Sequence, residues 1–210
     1  MKKPFLLSFL IGFMVMLCIH QSKAQSISIK TGRNLTNYKF GNSNNELPGL
    51  QNEIGQTYEF GYISKRANDK RFYYGFSAGL EEYNASGSIS TINLVWETTY
   101  ANVKGLGYYK LFYNDKHGVA LKGGLGLATL IHGRQQINGT RFDLLNQDEF
   151  KGLFISPQIG LSYNMFINKD ISLRLDYDYG RQFSLSNNNS TQRLQFINHS
   201  LSLGFSVNIY

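Results

Sequence analysis

"ISLRLDYDYG", residues 171–180, alternates without a break. Successive side chains of an extended chain point to opposite faces. Ile171, Leu173, Leu175, Tyr177 and Tyr179 therefore share one face, and Ser172, Arg174, Asp176, Asp178 and Gly180 share the other. A half-buried strand of a soluble sheet hides its apolar face and wets its polar one. Here the polar face carries three charges and the apolar face ends in two tyrosines. The fold turns on which of the two meets water.

The same period of two recurs through the chain. "GLFISPQIGLSYNMFI" (152–167) sets Leu153, Ile155, Ile159, Leu161, Tyr163, Met165 and Ile167 against a face of Gly, Ser, Gln and Asn. "LSLGFSVNI" (201–209), "GVALKGGLGLATLIHG" (118–133), "RFYYGFSAGLEEY" (71–83), "TYEFGYIS" (57–64) and "SISIKTGRNL" (26–35) divide in the same way. "INLVWETTYANVKGLGYYKLFY" (92–113) is less regular. Its even positions hold Ile92, Leu94, Trp96, Tyr100, Leu106, Tyr108 and Phe112, while Val103, Tyr109 and Leu111 are odd, so a bulge or phase change is expected near Lys104–Gly105. With 171–180 these make eight strands.

The chain opens "MKKPFLLSFLIGFMVMLCIHQSKAQ". A basic start, an apolar run from Phe5 to Ile19 and the small residues Ser22 and Ala24 form a secretory signal peptide, with cleavage expected after Ala24. The alternative is an uncleaved anchor, but the run is short for a spanning helix. Cys18 is the single cysteine, and Leu17 before it is too large for a lipoprotein acceptor site. The mature chain, 25–210, has no disulfide, and its net charge falls from +7 to +4 once Lys2, Lys3 and Lys23 leave. No Lys/Arg cluster survives, which argues against nucleic acid as a partner. Of the 15 Phe, removal of Phe5, Phe9 and Phe13 leaves 12, beside 14 Tyr and 1 Trp. So many aromatics, with frequent Gly and little Pro, suit strands and tight turns in one domain.

The connections decide between the two faces. "KRANDK", "NDKH" and "NKD" are short polar turns, whereas 36–55, 133–150 and 184–192 are long, with "NASGS" (84–88) the exception. Short turns at one end and long loops at the other are the layout of a membrane barrel. The expectation is an all-β, eight-stranded antiparallel up-and-down transmembrane β-barrel, with apolar faces toward lipid and Gly/Ser/Asn faces toward the lumen. Eight strands leave a lumen that side chains fill. Glu59, Lys122, Arg174, Asp176 and Asp178 would form a paired lumenal network, with Lys30 and Glu81 as further candidates. Tyr108, Tyr109, Phe112, Tyr113, Tyr177 and Tyr179 would sit at the membrane interfaces. A soluble lipocalin-like barrel is the alternative, but its exterior should be dotted with charge. The faces Gly160-Ser162-Asn164 and Gly204-Ser206-Asn208 carry none.

The start of the mature chain, "ISIKTGRNLTNYKF" (27–40), resembles the opening of the outer-membrane β-barrel domain of the "porin family" of Gram-negative bacteria. Ile29, Lys30, Gly32, Asn34, Leu35, Thr36 and Asn37 fit it, and "SLSLGFSVNIY" (200–210) resembles the closing strand that the barrel-assembly machinery reads. The resemblance implies residence in the outer membrane among its lipids and lipopolysaccharide, and function through the long loops. It departs in phase at the end, where Tyr210 falls opposite the face that ends on Ile209, and "YANVKGLGYY" (100–109) lacks the proline of the family's middle segment.

Enzymatic chemistry finds little support. Some eight-stranded outer-membrane barrels deacylate lipid A with a His-x-Ser pair. "NHSLS" (198–202) offers His199 with Ser200 or Ser202, neither at that spacing. No His/Cys/Asp cluster has metal-ligand spacing, and "KGGLGLA" (122–128) lacks the Lys-Ser/Thr of a phosphate loop. No cofactor is expected. The leading expectation is a non-enzymatic barrel that is structural, adhesive or ligand-binding. A membrane-embedded lipid A hydrolase and an accessory barrel of a secretion or assembly machine are the alternatives.

Overall fold

The computed structural model describes residues 25–41, 50–64, 71–89, 92–145, 147, 150–185 and 193–209. The leader read at 1–24, the turn 65–70 and Tyr210 lie outside them. The strands are β1 (Gln25–Gly41), β2 (Leu50–Ser64), β3 (Phe72–Ile89), β4 (Ile92–Tyr113), β5 (His117–Ile137), β6 (Thr140–Asp143), β7 (Leu153–Phe166), β8 (Ile171–Ser184) and β9 (Arg193–Ile209). All pairs are antiparallel. The sheet runs β4-β3-β2-β1-β9-β8-β7-β5, and pairing of β4 with β5 closes it into an eight-stranded ring. Among the described residues, β6 is the one strand outside the ring, paired with the far end of β5.

Closure removes every edge from the ring, so the backbone satisfies itself without water, as a bilayer demands. The outer surface is correspondingly apolar. Ile29 is 65% exposed, and Phe60, Phe76, Leu125, Ile159, Leu161, Leu175, Leu201, Leu203 and Phe205 are exposed with it. The residues between them are buried and polar: Ser26, Ser28 and Lys30 on β1, Arg174 and Asp176 on β8, Ser200, Ser202 and Ser206 on β9. The charged face of 171–180 is thus the inner one.

Two of the short turns are built alike. Asn114 Oδ1 accepts from the backbone N–H groups of Lys116 (2.9 Å) and His117 (2.6 Å), and Asn168 Oδ1 from those of Asp170 (2.8 Å) and Ile171 (2.7 Å). These Asx turns spare the chain a longer link. They lie at the end of the barrel that also holds Gln25 and Ile209, hereafter the turn end; the opposite end is the loop end.

At the loop end the strands outrun the expected loops. β1 extends to Gly41 and β2 begins at Leu50, so only 42–49, outside the described residues, remain of the loop 36–55. "NASGS" lies inside β3, pairing with 93–97 of β4. The segment 133–150 is no simple loop. β5 continues to Ile137, Asn138 (φ 47°) and Gly139 (φ 87°) make a two-residue turn, and β6 returns. Both φ values are positive, as a type I′ hairpin turn needs. Beyond β6, the Leu144 N–H donates to Gly133 O (3.1 Å), and Leu144 and Phe150 are buried in the barrel mouth. Of the loop 184–192, residues 186–192 lie outside the described residues.

The β1–β9 seam joins the first strand to the last. Gly204 pairs with Lys30, and a Cβ on Gly204 would stand 2.0 Å from Ile29 O and 2.7 Å from both Cα and Cγ of Lys30. The missing side chain leaves room for the lysine stem to cross the lumen. Gly204→Ala is expected to cost about 1–3 kcal/mol through overpacking. The measurement is the unfolding midpoint of the purified barrel in detergent, and an unchanged midpoint would refute this role for the glycine.

Candidate functional site

The lumen is filled in three layers. The middle layer is ionic. Lys30 Nζ contacts Glu59 and Asp176, each at 2.7 Å. Lys104 Nζ contacts Glu81 at 2.5 Å and Glu59 at 3.3 Å. Lys122 Nζ contacts Asp178 at 2.7 Å and Asp176 at 2.9 Å, and Arg174 Nε donates to Asp176 Oδ1 at 2.8 Å. Four cations meet four carboxylates in one connected chain, so their formal charges cancel. Six of the eight ring strands contribute, from β1 through β5 and β8. Charges in a low-dielectric interior are tolerable only when paired and hydrogen-bonded. The strand phase places every one of them inward, since a one-residue slip would turn them to lipid.

The layer toward the loop end is aromatic. Phe196 packs against Tyr83 (ring centroids 5.0 Å apart), Tyr38 (5.2 Å), Tyr100 (5.5 Å) and Phe154 (5.5 Å). Trp96 bridges outward, edge-on to Tyr38 at 5.3 Å and to Phe150 at 6.1 Å, and Leu144 closes the top. Two of the hydroxyls are used: Tyr38 donates to Tyr83 O at 2.8 Å, and the Tyr83 hydroxyl donates to Glu81, tying the plug to the ionic layer. The Gln182 amide donates to the same Tyr83 oxygen.

The layer at the turn end is a smaller cluster of Ile63, Tyr73, Leu106, Tyr108 and Ala120. Tyr73 and Tyr108 stack 4.7 Å apart, and the Arg174 guanidinium lies 4.9 Å over the Tyr108 ring. Two gaps among the described residues have volumes of about 10 Å³, beside Lys30, Glu59 and Lys104, and about 30 Å³, beside Tyr73 and Arg174. Each has room for about a water or two, far too little for a solute path.

Glu59, Lys122, Arg174, Asp176 and Asp178, singled out in the sequence, come together in the one ionic network, with Lys30 and Glu81. Lys104 is a member that sequence reasoning missed. Of the expected interface aromatics, Tyr109, Phe112 and Tyr113 face outward near the turn end, and Tyr177 and Tyr179 face outward toward the loop end. Tyr108 does not: it is 2% exposed and inside the lumen. The reason is the phase of β4. From Trp96 to Tyr108 its even positions point inward, Trp96, Tyr100 and Leu106 among them. The β4–β5 register shifts at Thr99/Tyr100 and Lys110/Phe112, not at Lys104–Gly105. The second shift leaves Leu111 as an extra residue and brings Phe112 outward after an inward Tyr108.

The residues weighed for catalysis stay apart. His199 is on the outer wall, its Nδ1 2.9 Å from the Tyr177 hydroxyl, while Ser200 and Ser202 are buried on the lumenal side. His117 pairs with the Tyr163 hydroxyl at 2.8 Å by the turn end, and His132 is exposed. No group of three or more His, Cys, Asp or Glu among the described residues could hold a metal ion.

No family model matches the sequence, and no curated protein matches it. Solved structures do. The fold resembles Neisserial surface protein A, with a TM-score of 0.57 at 9% identity over 89% of this chain and 99% of that one. It resembles the outer membrane protein OprG from Pseudomonas aeruginosa, with a TM-score of 0.53 at 10% identity over 90% and 98%. With the closed ring, apolar exterior and charged interior, these likenesses show that the chain has the fold of the eight-stranded outer-membrane β-barrels.

Proposed function

We propose that this chain is an integral outer-membrane protein of a Gram-negative bacterium, exported with a leader that is removed after Ala24. Its barrel is a closed anchor, and its activity is binding at the loop end rather than conduction or catalysis. What supports the reading is the lumen, in which, among the described residues, an aromatic plug, a neutral ionic layer and a stacked tyrosine pair are separated by gaps of about 10 and 30 Å³. Function on such a scaffold falls to the segments it displays. The turn end, with Gln25 and Ile209, faces the periplasm, and the loop end faces the cell exterior.

Two experiments test this. After cell fractionation the protein is expected in the outer membrane, migrating faster on a denaturing gel unheated than boiled; recovery in the soluble periplasm would overturn the reading. In planar bilayers the purified barrel is expected to give no steady channel events, and stable single-channel currents would contradict a closed lumen. Against the lipid hydrolase reading stands the barrel wall between His199 and the two serines Ser200 and Ser202. Loss of an acyl chain from lipid A on incubation with the purified barrel would restore it.

A further inference from the structure

A ninth charge sits inside the barrel at the turn end. The four cations and four carboxylates of the ionic layer cancel, and each of those acids is already engaged. Lys110 lies beyond them on β4. It pairs in register with Ala120, a lumenal residue, so its half-buried side chain belongs to the inner face. Its Nζ stands 5.9 Å from the centroid of the Tyr73 ring and 4.9 Å from that of Tyr113. Among the described residues no carboxylate forms an ion pair with it. Asp115 and Asp170, the acids of the two Asx turns, are exposed to solvent.

The gap of about 30 Å³ at this end is lined by Lys110 and Arg174 together. Arg174 commits Nε to Asp176, while its Nη2 is buried with no hydrogen-bond partner among the described residues. Ser206 Oγ, on the same gap, is buried and unpartnered too. Asn164, across from Arg174 on β7, also lines it, and its amide nitrogen reaches Ser162 only at 3.5 Å. An ammonium, a guanidinium N–H, a hydroxyl and an amide thus border one small space, all able to donate, with no carboxylate on its lining. A buried donor without a partner is costly. Water can accept these hydrogen bonds, but it leaves Lys110 uncompensated beside a guanidinium in a low-dielectric interior. One negative charge satisfies the donors and balances the lysine. A space the size of a water or two admits a halide and excludes the five heavy atoms of sulfate or phosphate.

We propose that this gap is a halide site, holding one chloride between Lys110 Nζ, Arg174 Nη2 and Ser206 Oγ. The ion completes the charge balance of the lumen and ties β4, β8 and β9 together across it. The site needs only the folded barrel, so it is independent of which side of a membrane the turn end faces.

The test reads the urea unfolding midpoint of the purified barrel in neutral detergent while sodium chloride replaces sodium gluconate at constant ionic strength. Gluconate is too large for the gap. The wild-type midpoint is expected to rise with chloride, because a ligand of the folded state alone stabilises it. Lys110→Gln and Ser206→Ala are each expected to weaken the apparent chloride affinity about tenfold or more, the scale of one hydrogen bond to a charged group. Lys110→Arg is expected to keep the chloride response, and Lys116→Gln, exposed in its turn, to leave it unchanged. Crystals grown in sodium bromide are expected to show an anomalous peak within hydrogen-bond reach of Lys110 and Arg174, absent from Lys110→Gln. A midpoint indifferent to chloride, or one that rises equally in Lys110→Gln, would overturn the proposal. A bromide peak without a chloride-dependent midpoint means an adventitious ion only and overturns it as well. Unheated gel mobility checks folding; should Lys110→Gln fail it, Lys110→Met carries the same expectation.

Discussion

Asp176→Ala is expected to lower barrel stability by about 3–5 kcal/mol, the cost of leaving buried charge uncompensated. Asp176 is 0% exposed and touches Lys30, Lys122 and Arg174. The three cations do not suffer equally. Lys30 keeps Glu59, and Lys122 keeps Asp178. Arg174 has Asp176 as its one carboxylate among the described residues, and afterwards has only the Tyr108 ring. Removing that unpaired cation as well should recover part of the loss, so Arg174→Met/Asp176→Ala is expected to show a coupling of about 1–3 kcal/mol relative to the two single changes. Asp178→Ala, with a single cation partner and a side chain 13% exposed, is expected to cost less than Asp176→Ala. Urea unfolding of the barrel in detergent, followed by the gel-mobility shift, reads all four variants. Equal stability of Asp176→Ala and wild type would mean that water already reaches the network.

Seven of the eight ring strands were legible in phase because each opposes large apolar residues to Gly, Ser and charge. β4 was misread for a physical reason. Bulky apolar side chains mark the lipid face only where the lumen is polar, and at both ends of this lumen the filling is aromatic. Trp96, Tyr100, Leu106 and Tyr108 therefore look like lipid-facing residues while pointing inward. A usable signal lay among them: Thr98, Asn102 and Lys104 hold the same even positions, and a lysine on the lipid face at mid-barrel would cost about 2–4 kcal/mol. That reading would also have found Lys104 in the ionic layer. The β5–β6 hairpin had its own mark in Asn138-Gly139 between two extended runs. That Leu144 and Phe150 then turn down into the mouth follows from tertiary packing, and no local pattern announces it.

Phe196→Ala is expected to cost about 3–5 kcal/mol, the range for removing a buried phenyl group. Phe196 is fully buried and is the one ring in contact with Tyr38, Tyr83, Tyr100 and Phe154 together, so its loss opens a hole at the centre of the plug. Four strands, β1, β3, β4 and β7, lose a contact to β9 across the lumen at once. The surrounding rings cannot collapse freely, because Tyr38 and Tyr83 are fixed by hydrogen bonds to Tyr83 O, Thr98 and Glu81. Conduction should not follow. Beneath the plug the ionic layer still spans the lumen from Lys30 to Asp178, and the Tyr73–Tyr108 stack closes the turn end. The expected pair of results is a lower unfolding midpoint and an unchanged, silent planar bilayer. Currents through Phe196→Ala would assign the seal to the aromatic plug alone; a silent bilayer with a lowered midpoint assigns it to the stacked layers acting in series.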